Sequence, residues 1–171
     1  MANTFELISS VTVGSGGAAS IDFTSIPATY TDLCLKASIR ANAGTIYSNM
    51  KLNINGGGTA WTYRNLVGAG SGTPSSGTAT NSFVGDANGT GSTASTFNNM
   101  EIYIPNYANT SYAKSISVDN VIENNATTAY AELWAGLWNS TSAITSLSLV
   151  GFAGETTLQY STAYLYGVKN A

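Results

Sequence analysis

Side chains alternate between apolar and polar along residues 30–40, and this alternation constrains the fold more than any other feature of the chain. Apolar residues stand at positions 33, 35, 37 and 39, whereas Asp32, Lys36, Ser38 and Arg40 are polar. A period of two is the period of a β-strand, whose successive side chains point to opposite faces of a sheet. One face of this segment is therefore predicted to be buried and the other to meet water, as in an antiparallel sheet with one packed side.

The same alternation recurs along most of the chain and predicts about nine or ten strands separated by turns. Glycine-rich residues 14–17 are expected to join the first two strands as a hairpin. Charged residues make up only 9% of the chain, so almost no helix is expected. The residues predicted to form the core are Leu33, Leu35, Ile39, Leu52, Ile102, Ile116, Val118, Leu133, Leu137, Leu147 and Leu149.

These strands predict an all-β fold, an antiparallel two-sheet β-sandwich of the jelly-roll type, because no helical segments are present to make parallel crossovers. A chain of 171 residues can bury a core of its own, and one domain is expected over residues 1–171. The alternative is an immunoglobulin-like sandwich, which is less favoured because the Cys…Trp…Cys spacing of that fold is missing.

Residues 67–96 interrupt the regular series of strands. They are nearly all Gly, Ser, Thr, Ala and Asn, with Phe83 and Val84 as their only sizeable apolar pair. The stretch is predicted to be a long polar loop that the core does not need. Long loops in compact domains are usually functional or mobile, so this one is either a contact surface or a flexible segment without a partner.

No catalytic, cofactor-binding or metal-binding residues are predicted, and the chain is not expected to be an enzyme. It has no histidine, which excludes histidine-based triads and zinc sites. Its acidic residues are expected mostly on outward faces of strands, where they form pairs for glycosidase chemistry only by chance. Residues 86–89 resemble a calcium loop only weakly, because the spaced acidic ligands are missing. Cys34 is expected to be packed rather than reactive, since no basic cluster adjoins it.

The charge pattern limits the classes of partner. The net charge is −3, and the six basic residues are scattered singly, so no surface can neutralise several phosphates in a row. Nucleic-acid binding is therefore not expected. The first residues lack a basic segment followed by a long apolar run, and no stretch of about 18 apolar residues occurs. Neither a signal peptide nor a membrane span is predicted, and synthesis in a cytoplasm is expected.

Trp134 and Trp138 are the leading candidates for an interface. They alternate with Leu133 and Leu137, so the tryptophans are predicted to face outward if the leucines face the core. Outward tryptophans either stack on a sugar ring or are buried against another sheet or subunit, and subunit contact is favoured because an exposed pair is costly for a monomer. Tyr164 and Tyr166 are further interface candidates in the last predicted strand. A homo-oligomer, with a trimer favoured, is expected.

Four segments carry a resemblance to known proteins. They read F-E-L-I-S-S-V-T-V-G-S-G-G-A-A-S-I-D-F-T-S-I-P-A-T-Y-T-D-L at residues 5–33, I-P-N-Y-A at 104–108, N-A-T-T-A-Y at 125–130 and Y-S-T-A-Y-L-Y-G-V-K-N-A at 160–171. Together they resemble a family of small virion structural proteins of tailed phages, especially marine and cyanobacterial phages. The resemblance covers nearly the whole chain apart from residues 67–96, and it brings no catalytic residues with it.

The resemblance implies a protein that is synthesised in the host cytoplasm and located in the virion. The first hypothesis is a decoration, cement or head-fibre protein on the capsid exterior, in contact with the major capsid protein or other virion proteins. It is favoured because the chain has no shaft repeats or heptads of the kind that project a fibre tip. The alternative is a tail-fibre-like adhesin whose residues 67–96 and exposed Tyr and Trp contact a host-surface glycan.

Overall fold

The computed structural model describes residues 4–57, 60–70, 73–125 and 128–169. Twelve strands lie in this part of the chain, together with one short 3₁₀ turn at Phe152–Gly154. The strands are β1 (Phe5–Thr12), β2 (Ser20–Phe23), β3 (Asp32–Ser38), β4 (Tyr47–Ile54), β5 (Trp61–Gly68), β6 (Ser75–Ala79), β7 (Phe83–Asn88), β8 (Asn99–Ile104), β9 (Lys114–Val121), β10 (Ala131–Trp138), β11 (Leu147–Gly151) and β12 (Thr162–Val168).

The strands form two antiparallel sheets that pack face to face. The larger sheet has eight strands in the order β1-β12-β3-β8-β9-β10-β5-β6, and the smaller has four in the order β2-β11-β4-β7. The predicted antiparallel two-sheet β-sandwich is confirmed, and this strand order is compatible with the jelly-roll type.

The core lies between the two sheets, and alternation places most of it correctly. In β3, Leu33, Leu35 and Ala37 are buried in the core, whereas Lys36 is exposed on the other face. The predicted core residues that are buried are Leu33, Leu35, Ile39, Leu52, Ile102, Ile116, Val118, Leu147 and Leu149. The expectation fails only on one strand, β10.

The predicted orientation of β10 is wrong. Trp134 and Trp138 are buried in the core, whereas Leu133 is 57% exposed and Leu137 is only partly buried. Both faces of this strand are apolar, so alternation could not choose between them. A tryptophan buries more apolar surface than a leucine, and the orientation that buries the two tryptophans is the more stable one. Trp134 also packs on Tyr63, with the ring centroids 4.7 Å apart.

The prediction of a single loop over residues 67–96 is also wrong. β6 and β7 lie within this stretch, although residues 71 and 72 are outside the described part of the chain. β6 is an exposed edge strand, so it shows no apolar alternation. β7 buries two polar side chains, Asp86 and Asn88, which hydrogen-bond to neighbouring strands and loops. These two strands were not predicted because their polar composition lacks apolar alternation.

A buried arginine orders the end of the same stretch. Arg40 lies two residues after the end of β3 and is only 8% exposed. Its guanidinium donates to the backbone carbonyl oxygens of Thr93 at 2.9 Å, Thr96 at 2.8 Å and Ser92 at 3.1 Å. These hydrogen bonds attach residues 92–96 to the core side of the sandwich, because a buried charge must keep its hydrogen-bond partners.

The first two strands do not form the predicted hairpin. β1 pairs with β12 in the larger sheet, and β2 pairs with β11 in the smaller one. Residues 14–17 therefore carry the chain from one sheet to the other. Gly17 has φ of 70°, and a Cβ there would lie 2.9 Å from the carbonyl oxygen of Thr157. Any other residue at position 17 would be strained by this φ and would clash with Thr157, so the connection between the sheets needs a glycine.

Candidate functional site

The four interface candidates separate into two groups. Trp134 and Trp138 belong to the core of this chain, so they are not available to another subunit. Tyr164 and Tyr166 of β12 lie on the outer face of the larger sheet, and Tyr164 is 38% exposed. The structure therefore keeps the two tyrosines as candidates and removes the two tryptophans.

An apolar patch surrounds these tyrosines at one edge of the larger sheet. Leu7 lies opposite Tyr166 in the register of β1 with β12 and is 55% exposed. Phe5 is 50% exposed, and its ring meets the ring of Tyr166 edge to face at a centroid distance of 6.3 Å. We call Phe5, Leu7, Tyr164 and Tyr166 the β1–β12 patch.

A second apolar patch lies near the opposite edge of the same sheet. Leu66 and Leu133 are directly opposite each other in β5 and β10, and they are 50% and 57% exposed. We call this pair the β5–β10 patch. Beside it lies a shallow groove of about 580 Å³, lined by small residues such as Ser117 and Ala135 and by the longer side chain of Arg64. Leu133 of this pair was predicted to lie in the core.

Cys34 also lies on the outer side of β3, between Tyr103 of β8 and Tyr166 of β12 in the register of the sheet. It is only 1% exposed. Burial raises the pKa of its thiol to about 11, and the nearby carboxylate of Glu101 acts in the same direction. The expectation of a packed thiol is confirmed, because the nucleophilic thiolate is strongly disfavoured at this position.

A pocket of about 290 Å³ opens beside β7, the edge strand of the smaller sheet. β7 packs on β9 and β10 of the larger sheet, so β5 and β6 extend past it at that side of the sandwich. The pocket is lined by Tyr47, Asn49, Tyr63, Asn65, Val67, Ser75, Phe83, Asp86, Tyr130, Glu132 and Trp134. Two of its strands, β6 and β7, come from the stretch that was predicted to be a loop.

Two buried carboxyl groups meet in this pocket. Asp86 is 4% exposed and Glu132 is 3% exposed, and their side chains hydrogen-bond to each other. Asn49 donates to Oδ1 of Asp86, and Asn120 donates to Oε2 of Glu132 at 2.7 Å. The indole Nε1–H of Trp134 donates to the same Oε2 at 3.3 Å. Amide and indole donors therefore hold both carboxyl groups in place.

The environment of Asp86 favours its protonated form. Burial, the charge of Glu132 and the hydrogen bond to Glu132 together raise the pKa of Asp86 to about 8, against a smaller opposing effect of Asn49. Two carboxylates in contact cannot both ionise without strong repulsion. Near neutral pH Asp86 is therefore mostly protonated.

Aromatic rings form much of the pocket wall. Tyr63 contacts Trp134, and Tyr47 meets Tyr130 edge to face with the centroids 5.4 Å apart. Phe83 lies beside Tyr63 at a centroid distance of 6.4 Å. These five rings come from β4, β5, β7, β10 and the residue before β10. The pocket combines π faces with a buried acidic pair.

Sequence reasoning missed this pocket, although one signal was present. Glu132 lies on the same face of β10 as Trp134 and Trp138, because the three residues are separated by even numbers of positions. Because the tryptophans were predicted to face outward, Glu132 was predicted to face outward with them. Burying the tryptophans turns the carboxylate inward as well. Asp86 carried no comparable signal, because its strand was not recognised, and its place in β7 also removes the weak resemblance of residues 86–89 to a calcium loop.

Comparisons with family models, with curated proteins and with solved structures gave no match. Within the described ranges, no group of three or more Cys, Asp and Glu side chains is placed to hold a metal ion. No helix in that same part of the chain is long and apolar enough to cross a membrane. The two outer-face patches and the acidic pocket are therefore the candidate functional sites.

Proposed function

We propose that this protein is a non-enzymatic structural component of a tailed-phage virion that decorates or cements the capsid exterior. The proposal starts from the resemblance of residues 5–33 and 160–171 to virion structural proteins. The observation that carries it is the outer face of the larger sheet, which exposes two apolar patches. Such a face supports contact with other proteins, because large apolar side chains are stabilised when they leave water.

The β5–β10 patch supports docking on another virion protein, and in a trimer that protein is the neighbouring copy of this chain. Leu66 and Leu133 protrude next to a groove whose lining includes Ser117 and Ala135. A protruding apolar pair beside a shallow groove offers both an anchor and room for a partner's side chains. The β1–β12 patch at the other edge leaves a second surface for neighbouring copies.

Two different patches also support a closed homo-oligomer, with a trimer favoured. A cyclic trimer joins one surface of each subunit to a different surface of the next, whereas a twofold dimer joins a surface to itself. Phe5 and Leu7 supply one apolar surface, and Leu66 and Leu133 supply the other. The unpaired edges of β1 and β6 would be covered by the same contacts.

A non-enzymatic role is supported by the spacing of the buried acidic pair. Asp86 and Glu132 hydrogen-bond directly, so their oxygens lie within hydrogen-bonding distance of each other. Glycosidases need carboxyl groups about 5 Å or more apart, so that a sugar or a water fits between them. This pair is suited to binding rather than to glycoside hydrolysis.

Location in the virion tests the proposal. Immunogold labelling of purified virions with antibodies against this protein is expected to mark the capsid exterior. Label confined to the tail would refute capsid decoration. Rebinding to virions that lack the protein adds a residue-level test: Leu66→Ser should abolish attachment, whereas the control Thr62→Ser, on the same face of β5, should attach normally.

The pocket beside β7 favours a second candidate, a tail-fibre-like receptor-binding module that contacts a host-surface glycan. Aromatic faces and amide groups such as Asn49 and Asn65 line the pocket, and sugar rings are commonly bound by stacking and hydrogen bonds of this kind. Label on the tail, together with loss of host adsorption in a Tyr130→Ala variant, would support this candidate over decoration.

A further inference from the structure

We propose that the pocket beside β7 binds an organic ammonium group, such as the protonated amine of an amino sugar or of a polyamine. This inference goes beyond the proposed function, because it concerns the chemistry of the ligand and applies wherever the protein sits in a virion.

Charge is the first argument. Asp86 and Glu132 are both buried and share a hydrogen bond, and no lysine or arginine is among the residues that line the pocket. The ion pairs of the described residues, Lys36 with Glu101 and Lys169 with Glu6, involve other carboxylates. A buried negative charge without a cation is costly, so a cationic ligand would be stabilised here more than a neutral one.

The aromatic wall is the second argument. Rings of Tyr47, Tyr63, Tyr130 and Trp134 line the same pocket as the acidic pair, whereas the ring of Phe83 already has Nζ of Lys51 at 5.5 Å from its centre. Aromatic faces attract ammonium groups through their negative π surfaces, and cages of several rings are a common way to bind such cations. An anionic sugar would instead be repelled by the carboxyl pair.

An unused hydrogen-bond acceptor is the third argument. Oδ1 of Asn65 is buried on the pocket wall and finds no donor among the described residues. An ammonium group carries three donors and no acceptor, which matches a pocket that offers carboxylate and amide oxygens. The volume of about 290 Å³ suits one amine-bearing unit rather than a long oligosaccharide.

Binding should release a proton. Near neutral pH Asp86 holds a proton in the free pocket, and a bound ammonium ion stabilises its ionised form. The proton of Asp86 then leaves to solvent, while the ligand keeps its own. Other titratable groups at the pocket include Tyr63 and Tyr130 in its lining, and Lys51, whose Nζ lies 5.5 Å from the centre of the Phe83 ring. Burial raises the pKa of Tyr63 and of Tyr130, so these phenols remain neutral and one proton per ligand is expected.

Isothermal titration calorimetry with glucosamine, spermidine and glucose tests the inference. Titrations in two buffers of different ionisation enthalpy count the protons released. Binding of glucosamine or spermidine with about one proton released is expected, with affinity rising about tenfold per pH unit between pH 6 and 7.5. Preference for glucosamine would identify a sugar as the source of the amine, and preference for spermidine a polyamine.

Variants separate the pocket from the rest of the surface. Asp86→Asn should remove the proton release and weaken amine binding at least tenfold. Tyr130→Leu leaves the acidic pair intact and should still weaken amine binding. Because Tyr130 lies outside the strands, this variant tests the inference even if Asp86→Asn fails to fold. The control Glu101→Gln, on the outer face, should bind like the wild type. Glucose binding as tight as glucosamine, absence of amine binding, or unchanged binding in Tyr130→Leu would overturn the inference.

Discussion

At the scale of single residues, a leucine contributes very differently to the stability of the fold on the two faces of the larger sheet. Leu35 of β3 is 1% exposed between the sheets, whereas Leu133 of β10 is 57% exposed on the outer face. Truncating Leu35 to alanine leaves a cavity in a packed core, whereas truncating Leu133 removes mainly contacts with water.

Truncating these two leucines should therefore have unequal effects on stability. In the monomer, Leu35→Ala is expected to lower the free energy of unfolding by about 2–5 kcal/mol, and Leu133→Ala by less than about 0.5 kcal/mol. Urea unfolding followed by tryptophan fluorescence measures both. Equal losses would mean that the leucine of β10 is also a core residue.

The buried acidic pair should make stability depend on pH in an unusual direction. Asp86 has a pKa near 8 in the folded protein, against about 3.9 in an unfolded chain. Between these values the folded state holds more protons than the unfolded state, so stability falls as pH rises. The slope for this one group reaches about 1.4 kcal/mol per pH unit.

Thermal unfolding of the protein at several pH values between 5 and 8 tests this expectation. The melting temperature of the wild type should fall across this range, and the fall should be much smaller in Asp86→Asn. The outer-face variant Glu101→Gln should keep the wild-type dependence. If Asp86→Asn shows the same decline as the wild type, the proton of Asp86 does not control it.

At the scale of strands, periodicity predicted some elements well and others poorly, for physical reasons. In β3 and β9 most apolar residues fall on one face, so alternation predicts which face lies in the core. It does not predict the buried polar residues Asp32, Lys114 and Asn120. β10 is apolar on both faces, and the larger buried area of Trp134 and Trp138 decides its orientation. β6 can carry polar residues because it is exposed, and in β7 the buried side chains of Asp86 and Asn88 each have a hydrogen-bond partner. Their partners, and hence the pocket, could not be read from local sequence.

Strand β7 lies so close to β9 that it needs a glycine. Gly85 has φ of 128°, and a Cβ there would lie 3.0 Å from Cγ of Asn120. Gly85→Ala is expected to lower the free energy of unfolding by about 1–3 kcal/mol through backbone strain and the clash with Asn120. Chemical denaturation measures this loss. Gly14→Ala, where a new Cβ meets nothing within 4 Å, should be nearly neutral.

At the scale of the whole molecule, the two sheets are unequal. Eight strands face four, and the outer side of the larger sheet bears the patches that contain Leu7 and Leu66. We expect a homo-oligomer, and a trimer in particular, because a cyclic assembly can bury both patches. Multi-angle light scattering measures its mass.

Single substitutions test whether the two patches meet. Leu7→Ser and Leu66→Ser should each yield a folded monomer, since either change removes one half of the same contact. Thr62→Ser should remain assembled. A wild type that is already monomeric at micromolar concentration would remove the trimer from the proposal.

The position of β12 has a consequence for how the chain reaches its folded form during synthesis. β12 lies between β1 and β3, two of the earliest strands to leave the ribosome. Until residues 162–168 emerge, the backbone groups of both neighbours lack their partner. The larger sheet is therefore completed only after nearly all of the described chain has been translated, and its early strands must wait with open edges that other nascent chains can pair with.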